Sequence, residues 1–130
     1  MKLLDTVFLI DLQREMNSGA SGPAHHFLGQ QADEEFAISV ISLLEFLEGY
    51  EQTRDGEEFL EPFVKLEVSQ NVSRCGSRIR RHLRQQGLCI GDFDILIAAT
   101  ALEADVELVT ADKDHFARID GLTLISYRDL

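Results

Sequence analysis

Basic residues are scarce in this chain. Twelve lysines and arginines stand against twenty-three aspartates and glutamates, a formal net charge of -11 over 130 residues. That excludes a grip on nucleic acid by bulk charge, so such a partner needs a local basic patch or bound cations. Cysteine is nearly absent: Cys75 and Cys89 are too few for a disulfide scaffold or zinc knuckle and fit a reducing cytoplasm. The four histidines form no H-x-x-x-H pair and the cysteines no C-x-x-C pair, which argues against zinc. No G-x-G-x-x-G or P-loop follows the first apolar run, so nucleotide binding of those kinds is not indicated. Apolar runs fall far short of the roughly 18 residues of a membrane helix. The start, MKLLDTVFLID, places an aspartate inside its apolar part, unlike a secretory signal.

What is present is organised around GDFDILIAATALEADVELVTAD, residues 91–112. It reads as an acidic turn, a helix over 92–104 and a short strand over 107–110 that runs into Asp112. Ala98, Ala99, Ala101 and Ala104 are the small side chains of a helix packed closely on a sheet, with Ile95, Leu96, Ile97 and Leu102 beside them.

The rest of the chain alternates in the same way. Strands are expected at 2–4, 36–39, 66–68 and 122–126, and helices at 7–14, 23–32, 42–51, 57–63, 71–86 and 113–117. Residues 17–23, NSGASGP, are the loop-like segment, Gly56 reads as a helix break and Gly87 as a helix cap. Short strands alternating with helices point to a parallel α/β architecture in one domain spanning residues 1–130.

Four acidic residues share a local setting. Asp5 and Asp112 each follow a strand and precede a helix, while Glu45 and Asp94 fall in the expected first turns of helices. In a parallel sheet all these helix starts lie on one edge, where α/β folds bind ligands. Each residue alone reads as a cap: Ser42-x-x-Glu45 has the form of a capping box, and Asp5, Asp92 and Asp112 are natural N-caps. Together, converging carboxylates repel one another unless a cation compensates them. An oxygen-only set suits Mg²⁺ or Mn²⁺.

The segments LLDTVFLIDL, ISLLEFLEGY, GDFDILIAATAL and LVTADKDHF, in this order and spacing, resemble the PIN-domain ribonucleases, especially the VapC-type toxins of bacterial toxin–antitoxin pairs. The resemblance spans essentially the whole chain and is most specific at D-x-x-I-A-A-T-A-L, residues 94–102. It implies a three-layer α/β/α fold around a short parallel sheet, and Mg²⁺- or Mn²⁺-dependent RNA cleavage leaving 5′-phosphate and 3′-hydroxyl ends. The implied metal-binding and catalytic residues are Asp5, Glu45, Asp94 and Asp112. Thr6, Thr110, Asp92 and Asp114 stand beside them as supporting or substitute ligands. Val7 occupies a place where the family often has Asn or Ser, and the family varies in residue type at Asp112. Implied partners are an antitoxin whose tail occupies the groove and a second copy in a homodimer.

Five of the twelve basic residues, Arg74, Arg78, Arg80, Arg81 and Arg84, lie on the helix expected at 71–86. Arg74, Arg78, Arg81 and Arg84 recur at helical spacing and form a candidate RNA-contacting stripe; a plain solvated face is the alternative. Phe8, Phe46, Leu47 and Tyr50 are candidates for an apolar groove that takes the antitoxin tail, or else simply core. His25 and His26 read as surface residues bordering the 17–23 loop. Two other functions remain open at this stage: a non-catalytic α/β binding domain, and a Mg-dependent phosphatase or phosphoacceptor domain with Asp5 attacking phosphorus. The phosphatase reading wants a second aspartate at position 7, where the chain has valine.

Overall fold

The first strand, β1 (Lys2–Leu4), is followed at once by α1 (Thr6–Ser18), with Asp5 as its N-cap. This is a computed structural model, and it describes residues 1–129. After α1 come α2 (Pro23–Gln30), β2 (Phe36–Ser39), α3 (Val40–Leu47), α4 (Thr53–Leu60) and β3 (Val64–Leu66). Next are α5 (Gln70–Gln85), α6 (Asp92–Ala104), β4 (Glu107–Thr110), α7 (Lys113–Phe116) and β5 (Leu124–Ser126), ending in a 3₁₀ turn, Tyr127–Asp129.

Among the described residues the strands form one parallel sheet in the order β3-β2-β1-β4-β5. The chain builds outward from β1 in one direction, then returns to add β4 and β5 on the other side. The C-terminal ends of β1 and β4 therefore face the topological switch point, the usual ligand crevice of an open α/β sheet.

Strand side chains alternate between faces, and each face has its own core. Leu3 pairs in register with Ala37 and Leu108, and all three join Val72, Cys75, Ile79, Leu83, Ile95 and Ile97 from α5 and α6. One residue further on, Leu4 and Val109 join Ile38 on the opposite face, against Phe8, Leu9, Leu12, Phe27 and Phe46 of α1, α2 and α3. The result is the three-layer α/β/α arrangement implied by the resemblance.

Several boundaries differ from those expected, each for a local reason. α1 begins at Thr6 because Asp5 caps it, and it continues to Ser18, where Gly19 takes a left-handed φ of 72°. The 17–23 loop is tied down: the Glu15 carboxylate accepts from the backbone N–H groups of Gly22, Ala24 and His25, satisfying the otherwise unpaired start of α2. α3 begins at Val40 because Ser39, not Ser42, caps it; Ser39 Oγ accepts from Ile41 N at 3.0 Å. The expected Ser42–Glu45 capping box is thus absent, and Glu45 lies in the second turn. Gly56 lies inside α4 instead of breaking a helix. Leu47 and Tyr50 press so closely there that an added Cβ would stand 2.7 Å from Leu47 Cδ2. β3 ends at Leu66, and Ser69 caps α5 by accepting from Val72 N.

Candidate active site

Asp5 is the anchor. It leaves the end of the central strand with only 5% of its surface exposed. Its Oδ1 accepts from Thr6 N at 2.8 Å and its Oδ2 from Thr110 Oγ1 at 2.9 Å. Burial pushes its pKa from 3.8 to about 6, opposed by those hydrogen bonds and reinforced by the charges of Asp94 and Glu45. A carboxyl held this way binds a proton more readily than in water, or a stronger cation in its place.

Glu45 reaches the same mouth from α3. Thr6 Oγ1 lies 2.8 Å from Glu45 Oε1 and 2.9 Å from Ser42 Oγ. A carboxylate can only accept, so the threonine proton goes to Glu45. Ser42 is fully buried and lies inside α3, past its Ser39 cap, with its hydroxyl on Thr6. Asp94 arrives in the first turn of α6. Its Oδ2 stands 3.0 Å from His115 Nε2. Glu45, Asp94, Gly91, Asp92 and Phe93 line an open cleft of ≈ 430 Å³.

Asp112 is set differently. It is exposed and caps α7, its Oδ1 accepting from His115 N at 3.1 Å. Its own N–H donates to Thr110 Oγ1, so Thr110 links the first aspartate to the last. Through His115 the chain of contacts runs on to Asp94. Asp114 is exposed in the first turn of α7.

Asp92 does not cap α6; Gly91 holds that position without a side-chain bond. Asp92 is the first helical residue and pairs with Arg80, a near partner across the α5–α6 groove that removes its reason to turn back on the backbone. Among the described residues no three His, Cys, Asp or Glu side chains stand as a finished metal cage. The carboxylates are turned instead to Thr6, Thr110 and His115. The donor chemistry fits a hard divalent ion nonetheless: Asp5, Glu45 and Asp94 offer oxygen alone, and their mutual charge needs compensation.

The arginines divide. Arg80, Arg81 and Arg84 line a groove of ≈ 540 Å³ with Ser73, Ser77, Asp92, Ile95 and Leu96, beside the acidic cleft and sharing Asp92 with it. Arg78 lies on the other flank of α5, with His82, Glu103 and Arg118. Arg74 bonds to Asn71 and Gln70 on its own helix. The four-arginine stripe of the sequence is therefore not one surface, and Arg80 belongs to the part that borders the site. His25 and His26 are exposed, as expected. Phe8 and Phe46 are core, with 0% and 4% exposure, and Phe46 packs on Tyr50 and Phe59. The large apolar side chains that α1 and α3 do expose are Val7, Ile10 and Met16 on α1 and Leu44 on α3.

His115 is the site residue that the sequence did not single out. Its signal was position: three residues after Asp112, it lies one helical turn from that cap. Its partner Asp94 is remote in sequence.

An α/β sheet with acidic residues gathered at its switch point is the class defined by this geometry. Residues 2–122 match the PIN domain family, and the chain belongs to that family. It is 33% identical over 124 residues to ribonuclease VapC19 of Mycobacterium tuberculosis, covering 94% of this chain and 97% of the relative. It is 35% identical over 95 residues to ribonuclease VapC2 of Rickettsia felis, covering 68% and 71%. Among solved structures, the VapBC2 complex of Rickettsia felis bound to a promoter DNA fragment superposes with a TM-score of 0.80 at 26% identity, covering 95% of this chain and 96% of that one. FitAcB from Neisseria gonorrhoeae gives a TM-score of 0.84 over the full length of both chains at 22% identity, a likeness of fold.

Proposed function

We propose that the protein is a divalent-metal-dependent endoribonuclease and the toxin of a type II toxin–antitoxin pair. The observation that carries this is the charge that Glu45 and Asp94, which line the open cleft, bring to the buried Asp5, whose carboxyl burial and these two neighbours push up to about 6. Relatives named ribonuclease VapC, one of them matched over nearly its whole length, and neighbours solved as VapBC complexes support the reading.

In this reading Asp5, Glu45, Asp94 and Asp112 hold Mg²⁺ or Mn²⁺. The ion, when bound, readies water for in-line attack on phosphorus and neutralises charge on the phosphate. The chain's own residues do the positioning. Thr110 fixes Asp5 and the backbone at Asp112, Thr6 fixes Glu45, and His115 fixes Asp94. Arg81 and Arg84 hold RNA phosphates beyond the cleft, while Asp92 orients Arg80. Asp114 is the reserve carboxylate beside Asp112. The antitoxin covers the exposed apolar side chains Val7, Ile10 and Leu44. A cytoplasmic location agrees with the free thiols of Cys75 and Cys89; no described helix is long and apolar enough to cross a membrane. Val7 at the phosphatase position offers no second carboxylate, and nothing in the site favours that chemistry.

The test is to add Mn²⁺ to metal-free protein. Its melting temperature should rise and single-stranded RNA should be cut, and both responses should disappear in Asp94→Asn. Identical melting with and without the ion, together with intact RNA, would refute the proposal.

A further inference from the structure

Phe93 stands in an unusual position for an aromatic side chain. It is 42% exposed, although it follows Asp92 and precedes Asp94 at the mouth of the acidic cleft, and it forms part of the cleft's lining with Glu45. The phenylalanines of the cores pack against other side chains, as Phe8 does against Phe27 and Tyr127, whereas among the described residues no aromatic pair involves Phe93. Ile95, two residues on, supplies the buried side chain of this turn, so the core does not use the Phe93 ring.

Phe93 shares its cleft with Glu45 and Asp94, and its neighbour Asp92 lines both this cleft and the groove of Arg80, Arg81 and Arg84. A single strand whose phosphates follow the arginines toward the acidic site would pass its bases over this ring. Every base has a π-face, and a flat apolar surface beside a cationic groove is how sequence-tolerant single-strand binding is built. A duplex keeps its bases stacked on each other and could not use the ring.

We infer that Phe93 is a base-stacking platform that holds the nucleotide next to the scissile phosphate, and that it makes the site selective for single-stranded RNA. The inference rests on the ribonuclease reading and adds the residue that seats the base beside the cut.

The experiment pairs a protein change with a substrate change. Steady-state cleavage of a single-stranded oligoribonucleotide is measured with wild type, Phe93→Ala and Phe93→Trp, each on the intact strand and on strands made abasic at one position near the cut. Phe93→Ala should raise KM roughly ten- to a hundredfold with kcat nearly unchanged, and Phe93→Trp should restore it. An abasic site at the stacked position should raise the wild-type KM by a similar factor and leave that of Phe93→Ala unaffected.

Melting curves confirm that each variant is folded. If wild type cuts RNA while Phe93→Ala keeps its KM, or if the two changes act independently, the inference fails and the ribonuclease reading stands. A change in oligomeric state without a change in KM would mark Phe93 as a protein contact and equally overturn it. A wild type that cuts no RNA removes the reading and this inference together.

Discussion

Replacing Asp5 by Asn should stabilise the metal-free protein while abolishing its response to the ion. The wild-type carboxyl has a pKa of about 6 in the fold against 3.8 in water, a rise that corresponds to roughly 3 kcal/mol. Because the folded value is the higher one, the folded protein binds the proton more tightly than the unfolded chain. The stabilisation is complete below pH 3.8 and is lost as pH rises through about 6, so at pH 8 the ionised group opposes folding. Asn carries no charge and keeps the acceptor for Thr6 N–H. Its NH₂ group then faces Thr110 Oγ1, replacing an accepted hydrogen bond by a donated one at the expense of about 1 kcal/mol of hydrogen bonding. The net gain is roughly 2 kcal/mol, or about 5–10 °C in melting temperature for a chain of this size. Thermal unfolding in EDTA at pH 8 and pH 4 is the assay: the variant should melt higher at pH 8, and its advantage should close or reverse at pH 4. Mn²⁺ at about a hundred times its Kd should add roughly 2.7 kcal/mol to wild type and little to the variant. An Asn variant that melts below wild type at pH 8, or whose advantage is the same at both pH values, would refute the assignment of Asp5 as a strained, cation-seeking carboxylate.

Two further outcomes follow from particular contacts. Gly76 lies within α5, where an added Cβ would meet Ile95 Cγ2 at 3.5 Å and Ala99 Cβ at 3.9 Å, ordinary contact distances. Gly76→Ala should therefore raise stability by about 0.5–1 kcal/mol through helix propensity and a stiffer unfolded chain, read by urea unfolding; a loss would show that α5 and α6 are packed more tightly than these distances allow. Charge reversal at Arg81 and Arg84 should weaken RNA binding and lower the salt dependence of binding by about 0.7 per lost phosphate contact. Reversal at Arg78, on the far flank of α5, should do neither, and equal effects at all three would contradict the division of the helix into two surfaces.

The strand-to-helix turns at Asp5 and Asp112 were legible because each marks a change from period 2 to period 3.6 with an acidic cap between. The α6 segment was legible from its run of small residues. Elsewhere two local signals competed, and the tertiary structure chose between them. Ser39 and Ser42 can each cap a helix; α3 starts at Val40 under Ser39, and Ser42, inside it, bonds Thr6 on α1 instead. Asp92 looked like a cap until Arg80, from another helix, took its carboxylate. Gly56 reads as a break in the sequence, yet it lies inside α4 where Leu47 and Tyr50 crowd it and a Cβ would have to push them aside. The sequence spacing put Arg78 with Arg81 on one stripe, but the packing around α5 gives them to different grooves. Helical periodicity defines a side chain's angle around its own axis and leaves unstated where the neighbouring helix lies.

The four acidic positions also differ in what folding does to them. Asp112 caps a short exposed helix, where negative charge favours the fold with or without an ion. Asp5 is fixed at the end of the central strand, between two layers of helices, and its carboxylate cannot swing out to water without breaking its bonds to Thr6 and Thr110. Glu45 and Asp94 are half-buried and bring charge to that same point. The free energy released on metal binding should therefore be drawn chiefly from relief at Asp5, with the other carboxylates completing the oxygen shell. A site built this way is least comfortable when empty, and that discomfort is what makes a buried carboxylate at the switch point a strong ligand for a cation.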